Sequence, residues 1–237
     1  MTDCVKRLKQ IVASDVELWQ VNLDEYAKSV YLDGLSAQDH ARAARMAFRP
    51  DALRCLATRH ALRRVLATAL SCSPSEIVIQ TDEHGKPRVM SRASLQFNVS
   101  HSGRLCVIAL SRRESVGVDV EMVREITDAD RLTHALFTDK ERREWSGVVS
   151  TRTDAAFLSC WTRKEACLKA LGIGLSVHAG EIDAGCADEV REVSIQLGKH
   201  RCSATVYSVA VGCNALAAVA LTTPEDALLA QQFFQRS

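Results

Sequence analysis

One pattern occurs twice in this chain and limits what it can fold into. Leu35, Ser36 and Asp39 are echoed by Phe137, Thr138 and Glu141. In each case a hydroxyl is followed by an acid at the spacing with which a helix begins. Each start leads into an apolar run of helical period. Leu53, Leu56, Leu62, Leu66 and Leu70 predict a helix over 52–70, and Phe157, Trp161, Leu168 and Leu171 predict one over 154–171. A Glu-Ile pair follows each run, at Glu76 and at Glu181, and reads as the start of a strand. The near-constant offset predicts an α+β chain of two similar lobes, residues 1–115 and 116–237, related by a pseudo-two-fold duplication. A groove between such lobes is a favoured place for a ligand.

The remaining elements follow from period and punctuation. Strands are expected over 16–22, 76–80, 95–99, 105–110 and 115–121, with another within 213–221, and a basic helix from Ser36 through Phe48. His84, Gly85, Lys86 and Pro87 read as a turn. Hydrophobic residues make up 47% of the chain, enough for a buried core, and 30 basic against 29 acidic residues leave a formal charge of +1. That balance points to neither nucleic acid nor an anionic membrane as partner. No run approaches the roughly 20 apolar residues of a membrane helix, and the start of the chain lacks a signal-peptide pattern. A cytoplasmic protein is expected. The nine cysteines are scattered, without a C-x-x-C pair, and read as small buried hydrophobes rather than zinc ligands.

Three segments are hard to explain by folding alone. Phe97-Asn98-Val99-Ser100-His101-Ser102-Gly103 runs from a strand into a turn dense in hydrogen-bonding groups. It suits a phosphate, but taken alone its composition is better explained by a polar hairpin turn. Ser115 to Glu121 is a β-branched strand in which Asp119 and Glu121, two apart, face the same side. Paired carboxylates on an apolar strand call for a cation or for water, and magnesium is a fitting cation because it takes one or two carboxylates plus phosphate oxygens and water. The helix over 154–171 carries Lys164 inside its apolar stripe, Glu165 at the edge, and Lys169 one turn after Glu165. A solvated ion pair beside a snorkelling lysine is the alternative there.

Taken together, in this order and spacing, the segments resemble the phosphopantetheinyl transferase superfamily, particularly its larger, pseudo-dimeric surfactin-type (Sfp-type) members. The resemblance rests on the Gly-x-Asp-x-Glu strand at Gly117, Asp119 and Glu121, and on the Trp-x-x-Lys-Glu-x-x-x-Lys helix at Trp161, Lys164, Glu165 and Lys169. Gly85-Lys86-Pro87 and Asn98 to Ser102 match upstream elements of the family. It implies two α+β lobes in one chain with coenzyme A in the cleft. It also implies Asp119, Glu121 and Glu165 as magnesium ligands, and Arg54, Gly85, Lys86, Pro87, Ser100, His101, Lys164 and Lys169 as coenzyme A contacts. Arg42 and Arg45 are further basic candidates, whereas Asp39 stands where some members are basic.

The implied reaction moves the phosphopantetheine arm of coenzyme A to a serine of an apo acyl or peptidyl carrier protein and releases 3′,5′-adenosine bisphosphate. Glu165 is the candidate base, with Lys169 and Asp119 as the other catalytic groups. The acidic carrier is expected as a transient partner, docking near Arg42, Arg45 or the segment Arg124 to Arg131, and the protein is expected to be a monomer. Two competitors use the same residues: a non-catalytic coenzyme A or carrier-binding module, and a metal-dependent phosphohydrolase.

Overall fold

The structure is a computed structural model that describes residues 4–10, 12–13, 15–81, 86–91, 94–147, 153–174, 179–212 and 214–235. His84, Gly85 and Cys213 lie outside the described residues. The first half holds β1 (Val5–Arg7), β2 (Val16–Asn22), α1 (Leu23–Ser29), α2 (Ala37–Ala43), α3 (Arg49–Leu70), β3 (Ile79–Thr81), β4 (Pro87–Val89), β5 (Gln96–Ser102) and β6 (Leu105–Ser111). The second holds β7 (Ser115–Met122), α4 (Ala129–Leu136), α5 (Asp139–Ser146), α6 (Thr153–Leu171), β8 (Arg191–Leu197), β9 (His200–Val209), β10 (Ala215–Thr222) and α7 (Pro224–Gln235).

The repeat seen in the sequence is a repeat of topology. Two four-stranded sheets have the orders β1-β2-β6-β5 and β7-β10-β9-β8. In each, an early strand pairs antiparallel with the last one, β2 with β6 and β7 with β10, and three helices lie between them in the chain, α1 to α3 or α4 to α6. The pairs Ser36/Asp39 and Thr138/Glu141 both form complete capping boxes. The basic helix begins as expected but ends at Ala43 rather than Phe48. Phe48 instead precedes a new helix that carries proline in its first turn, a position where the missing N–H costs nothing. The two Glu-Ile pairs do not start strands. Each glutamate closes a short 3-10 turn, Pro74–Glu76 or Ala179–Glu181, and the next isoleucine is buried. The expected first strand of that region is reduced to Ile79–Thr81, paired with β4.

Alternation along the strands sorts the core. On β6, Cys106, Ile108 and Leu110 pack with Leu62 and Leu66 of α3, while Leu105, Val107 and Ala109 pack with Val116, Val118 and Val120 of β7 and Val219 of β10. On β10, Ala218 and Ala220 meet Ala166 and Ala170 of α6. Each sheet thus carries its long helix on one face and the other sheet on the opposite face, which is why these strands read as continuous apolar runs. Among the described residues, no helix is long and apolar enough to cross a membrane. The eight described cysteines are free thiols.

Candidate active site

The site forms where the edge strands of the two sheets meet. Three alternate residues of β5 reach across to β7. Asn98 Oδ1 accepts from the Val118 amide (2.9 Å), Ser100 Oγ donates to Asp119 Oδ1 (2.8 Å) and Ser102 Oγ donates to Glu121 Oε2 (2.8 Å). The Met122 amide closes the series on Ser102 Oγ at 3.1 Å. Side chains therefore do what a backbone ladder would do, and they fix the orientation of both carboxylates.

Gly117 brings α6 down onto the strand. A Cβ at this position would lie 2.1 Å from the Ala166 carbonyl oxygen and 2.3 Å from the Ala170 nitrogen. Only glycine allows α6 to cross β7 there, and the crossing places Glu165 and Lys169 beside the strand face that carries Asp119. Lys169 Nζ is 2.6 Å from Asp119 Oδ1, 3.3 Å from Ser100 Oγ and 4.0 Å from Glu165 Oε2. Burial pushes the Glu165 carboxyl above the usual carboxylate range. Lys169 opposes that shift, and the charges of Asp119 and Glu121 add to it.

Among the described residues, no three His, Cys, Asp or Glu side chains form a ready-made metal cage. The donor set nevertheless suits a hard cation. Asp119 Oδ2 and Glu165 Oε1 are buried oxygens without any hydrogen-bond partner, and an orphaned carboxylate oxygen carries a cost that a cation removes. Magnesium completes its shell with water and substrate phosphate, so it does not require a full protein cage.

His101 points the opposite way from Ser100. With Pro87, Val99, Arg42 and Arg59 it lines a cavity of about 250 Å³ between β5, the β3–β4 hairpin and α3. Its ring retains exposure, yet desolvation, and then the Lys169 charge, hold its pKa below the ordinary histidine value. Asp39 also lines this cavity. Its carboxylate is buried and clasped by Arg59 (2.6 Å) and Arg63 (3.2 Å), so an acid is tolerated at this position. Arg59 was not singled out in the sequence; its place one turn before Arg63 on the helix that faces Asp39 was the available signal.

Three expected coenzyme A contacts have protein partners of their own. Lys164 is fully buried, with Nζ 2.7 Å from Glu141 Oε2 and hydrogen-bonded to the carbonyls of Ala179 (2.8 Å) and Ile182. Glu141 meanwhile accepts from the Ala184 and Gly185 amides. The apolar stripe of α6 carries Lys164 into the core, and there it joins α6 to α5 rather than to a ligand. Lys86 is buried, with Nζ near Ser115 Oγ (3.1 Å) and the carbonyls of Lys169 (2.9 Å) and Ala170 (3.1 Å). Arg54 is held by Asp24 through two bonds (2.8 and 3.0 Å) and by Asp51 at 3.3 Å. Its guanidinium is partly exposed and close enough to act on the His101 ring. Gly85 lies outside the described residues. Arg45 is exposed, as are Arg124 and Arg131.

Comparison with known proteins agrees with this construction. A family model described as "4′-phosphopantetheinyl transferase, N-terminal" matches residues 17–113, and "4′-phosphopantetheinyl transferase superfamily" matches residues 115–221. The chain belongs to the 4′-phosphopantetheinyl transferase superfamily. It is 30% identical over 171 residues to the 4′-phosphopantetheinyl transferase HetI of Nostoc sp., covering 70% of this chain and 72% of HetI. It is 28% identical over 177 residues to the 4′-phosphopantetheinyl transferase psf-1 of Bacillus pumilus, covering 74% of each. A third relative, the 4′-phosphopantetheinyl transferase AcpT of Salmonella typhi, is 37% identical over 110 residues, 46% of this chain and 56% of AcpT. Membership of this superfamily makes the chain a transferase with a two-lobe α+β fold.

Proposed function

We propose that this protein transfers the 4′-phosphopantetheine arm of coenzyme A to a serine hydroxyl of an acidic acyl or peptidyl carrier protein, releasing 3′,5′-adenosine bisphosphate. The observation that carries the reading is the pair of buried, partnerless oxygens on Asp119 and Glu165, set beside the Lys169 ammonium. Asp119, Glu121 and Glu165 would hold magnesium, which when bound neutralises pyrophosphate charge and stabilises the departing phosphate.

The chain's own groups account for the other requirements. Ser100 and Ser102 pin Asp119 and Glu121, so that neither carboxylate has to reorganise as charge develops. Lys169 supplies a cation beside Asp119 and Ser100, suited to the charge that builds on the leaving group. Glu165, its proton affinity raised by burial, is poised to accept the serine proton directly or through one water. Arg42, Arg59 and His101 give the adjoining cavity a basic lining for the nucleotide end of coenzyme A. Action as a cytoplasmic monomer belongs to the same reading.

Intact-mass spectrometry of apo carrier proteins incubated with the protein, coenzyme A and magnesium tests it. The expected result is a gain of one phosphopantetheine on a single serine, abolished by a chelator. Nucleotide release without a carrier would mark a hydrolase instead, and coenzyme A binding with no reaction on any carrier would mark a binding module.

A further inference from the structure

We propose that Lys86 is a positioning residue: its ammonium sets the last turn of α6, and with it Lys169, against the strand that carries Asp119, and that ammonium does not contact coenzyme A. The inference rests on the transferase reading above. A helix leaves its last carbonyls without intrahelical partners. On α6 the first of these is satisfied by the turn that follows, and the other three draw partners from distant parts of the chain. Leu168 O accepts from the amides of Gly172 (2.9 Å) and Ile173 (3.2 Å), with Gly172 in the left-handed conformation at φ 74°. Lys169 O accepts from Lys86 Nζ and from the Gly172 amide (3.2 Å), Ala170 O accepts from Lys86 Nζ and from Ser115 Oγ (2.6 Å), and Leu171 O accepts from Gln231 Nε2 of α7 (3.1 Å).

Two features make Lys86 more than a cap. It bonds the carbonyl of the same residue whose ammonium meets Asp119. It also reaches Ser115 Oγ and the Val116 carbonyl (3.4 Å), where β7 begins. One buried cation therefore ties the start of the Asp119 strand to the end of the Lys169 helix, at the negative end of the helix dipole. Its neighbours in sequence divide in the same way. Pro87 lines the cavity, and Arg88 meets Gln231 Oε1 at 3.4 Å. The hairpin that walls the cavity is thus joined mechanically to the catalytic helix.

Lys86→Met keeps the stem and removes the cation. Expected is a kcat loss of roughly 10- to 100-fold, as for a small misplacement of reacting groups. The coenzyme A dissociation constant by calorimetry should stay within about twofold, because a group that does not touch the ligand leaves its binding nearly intact. Amide exchange over 168–173 should quicken. A weakened dissociation constant with kcat retained would make Lys86 a ligand contact and overturn the proposal. Unchanged kcat per folded molecule, with only faster exchange, would reduce it to a stabilising cap and also overturn it. If Lys86→Met does not fold, Ser115→Ala removes one bond of the same junction and keeps the cation. A smaller kcat loss with coenzyme A affinity intact is then expected, and an intact kcat counts against the proposal. A wild-type protein that transfers nothing would refute the transferase reading separately. The exchange measurement would still decide the clamp, which falls if exchange over 168–173 is the same in wild type and Lys86→Met.

Discussion

Asp119 presents one oxygen to Ser100 and Lys169 and leaves the other bare, while Glu165 keeps an unpartnered oxygen in a desolvated pocket. Each carboxylate thus keeps one buried oxygen whose desolvation the fold does not repay, and which a bound cation would satisfy. Glu165→Gln keeps the shape and removes the buried charge. Transfer should fall by about 10²- to 10⁴-fold, the range of a lost general base, while the thermal midpoint holds or rises. Loss of activity together with a lowered midpoint would mean that the side chain is structural. Asp39 is a carboxylate of the opposite kind. Burial alone would push it up, but hydrogen bonds from Arg59 and from the Ser36 amide and hydroxyl outweigh burial and hold it at about 2. Because the folded value lies below the unfolded one of about 3.9, the folded state favours the ionised form. The resulting stability is full above the unfolded value and is lost as pH falls toward about 2. Urea midpoints measured at several pH values across that window should decline in the wild type, and decline less in Asp39→Asn.

The pairing of β7 with α6 depends on one missing side chain. Every atom that a Cβ at Gly117 would strike belongs to the α6 backbone: Ala166 O, Ala170 N and Lys169 C. No rotamer change can relieve the clash, so Gly117→Ala must displace the helix. A cost of about 1–3 kcal/mol is expected from overpacking, accompanied by a kcat loss, because the displaced turn carries Glu165 and Lys169. Ile195→Val, a milder change at a buried position on β8, should lower stability while leaving kcat per folded molecule unchanged. Equal kcat in the two variants would show that the crossing does not position the site. The strand and helix that carry the site were legible in the sequence because their patterns are local: period two around Asp119 and Glu121, and helical period around Glu165. Capping boxes were legible for the same reason. The fates of Lys86 and Lys164 were not legible, because a buried lysine takes whatever oxygens the fold brings to it. Here those are carbonyls and Glu141, far away in sequence. The cavity formed by Arg59, Arg42 and His101 depends likewise on how α3 lies across β5, which no local pattern records.

At the scale of the molecule, the constant offset of the repeat correctly implied two lobes, but not how completely they depend on one another. The strand β6 is buried along its whole length, with alternate residues serving α3 and the other sheet. Separating the lobes would expose Leu18, Leu105 and Val107 on one side and Val118, Val219 and Leu221 on the other. It would also break the Asn98, Ser100 and Ser102 bridges that hold the site carboxylates. The apolar face shared by β6, β7 and β10 has no other cover, so the two lobes should unfold as one cooperative unit. Two variants can report on them separately by fluorescence in urea, one retaining Trp19 in the first sheet and one retaining Trp161 on α6, with the other tryptophans changed to phenylalanine. Their midpoints should coincide. Leu105→Ala, at the face between the sheets, should lower both midpoints equally, for a stability loss of about 2–5 kcal/mol as in a buried leucine truncation. If the Trp19 midpoint moved while the Trp161 midpoint stayed in place, the lobes would be thermodynamically separate. The carboxylates of β7 would then owe their placement to the second lobe alone.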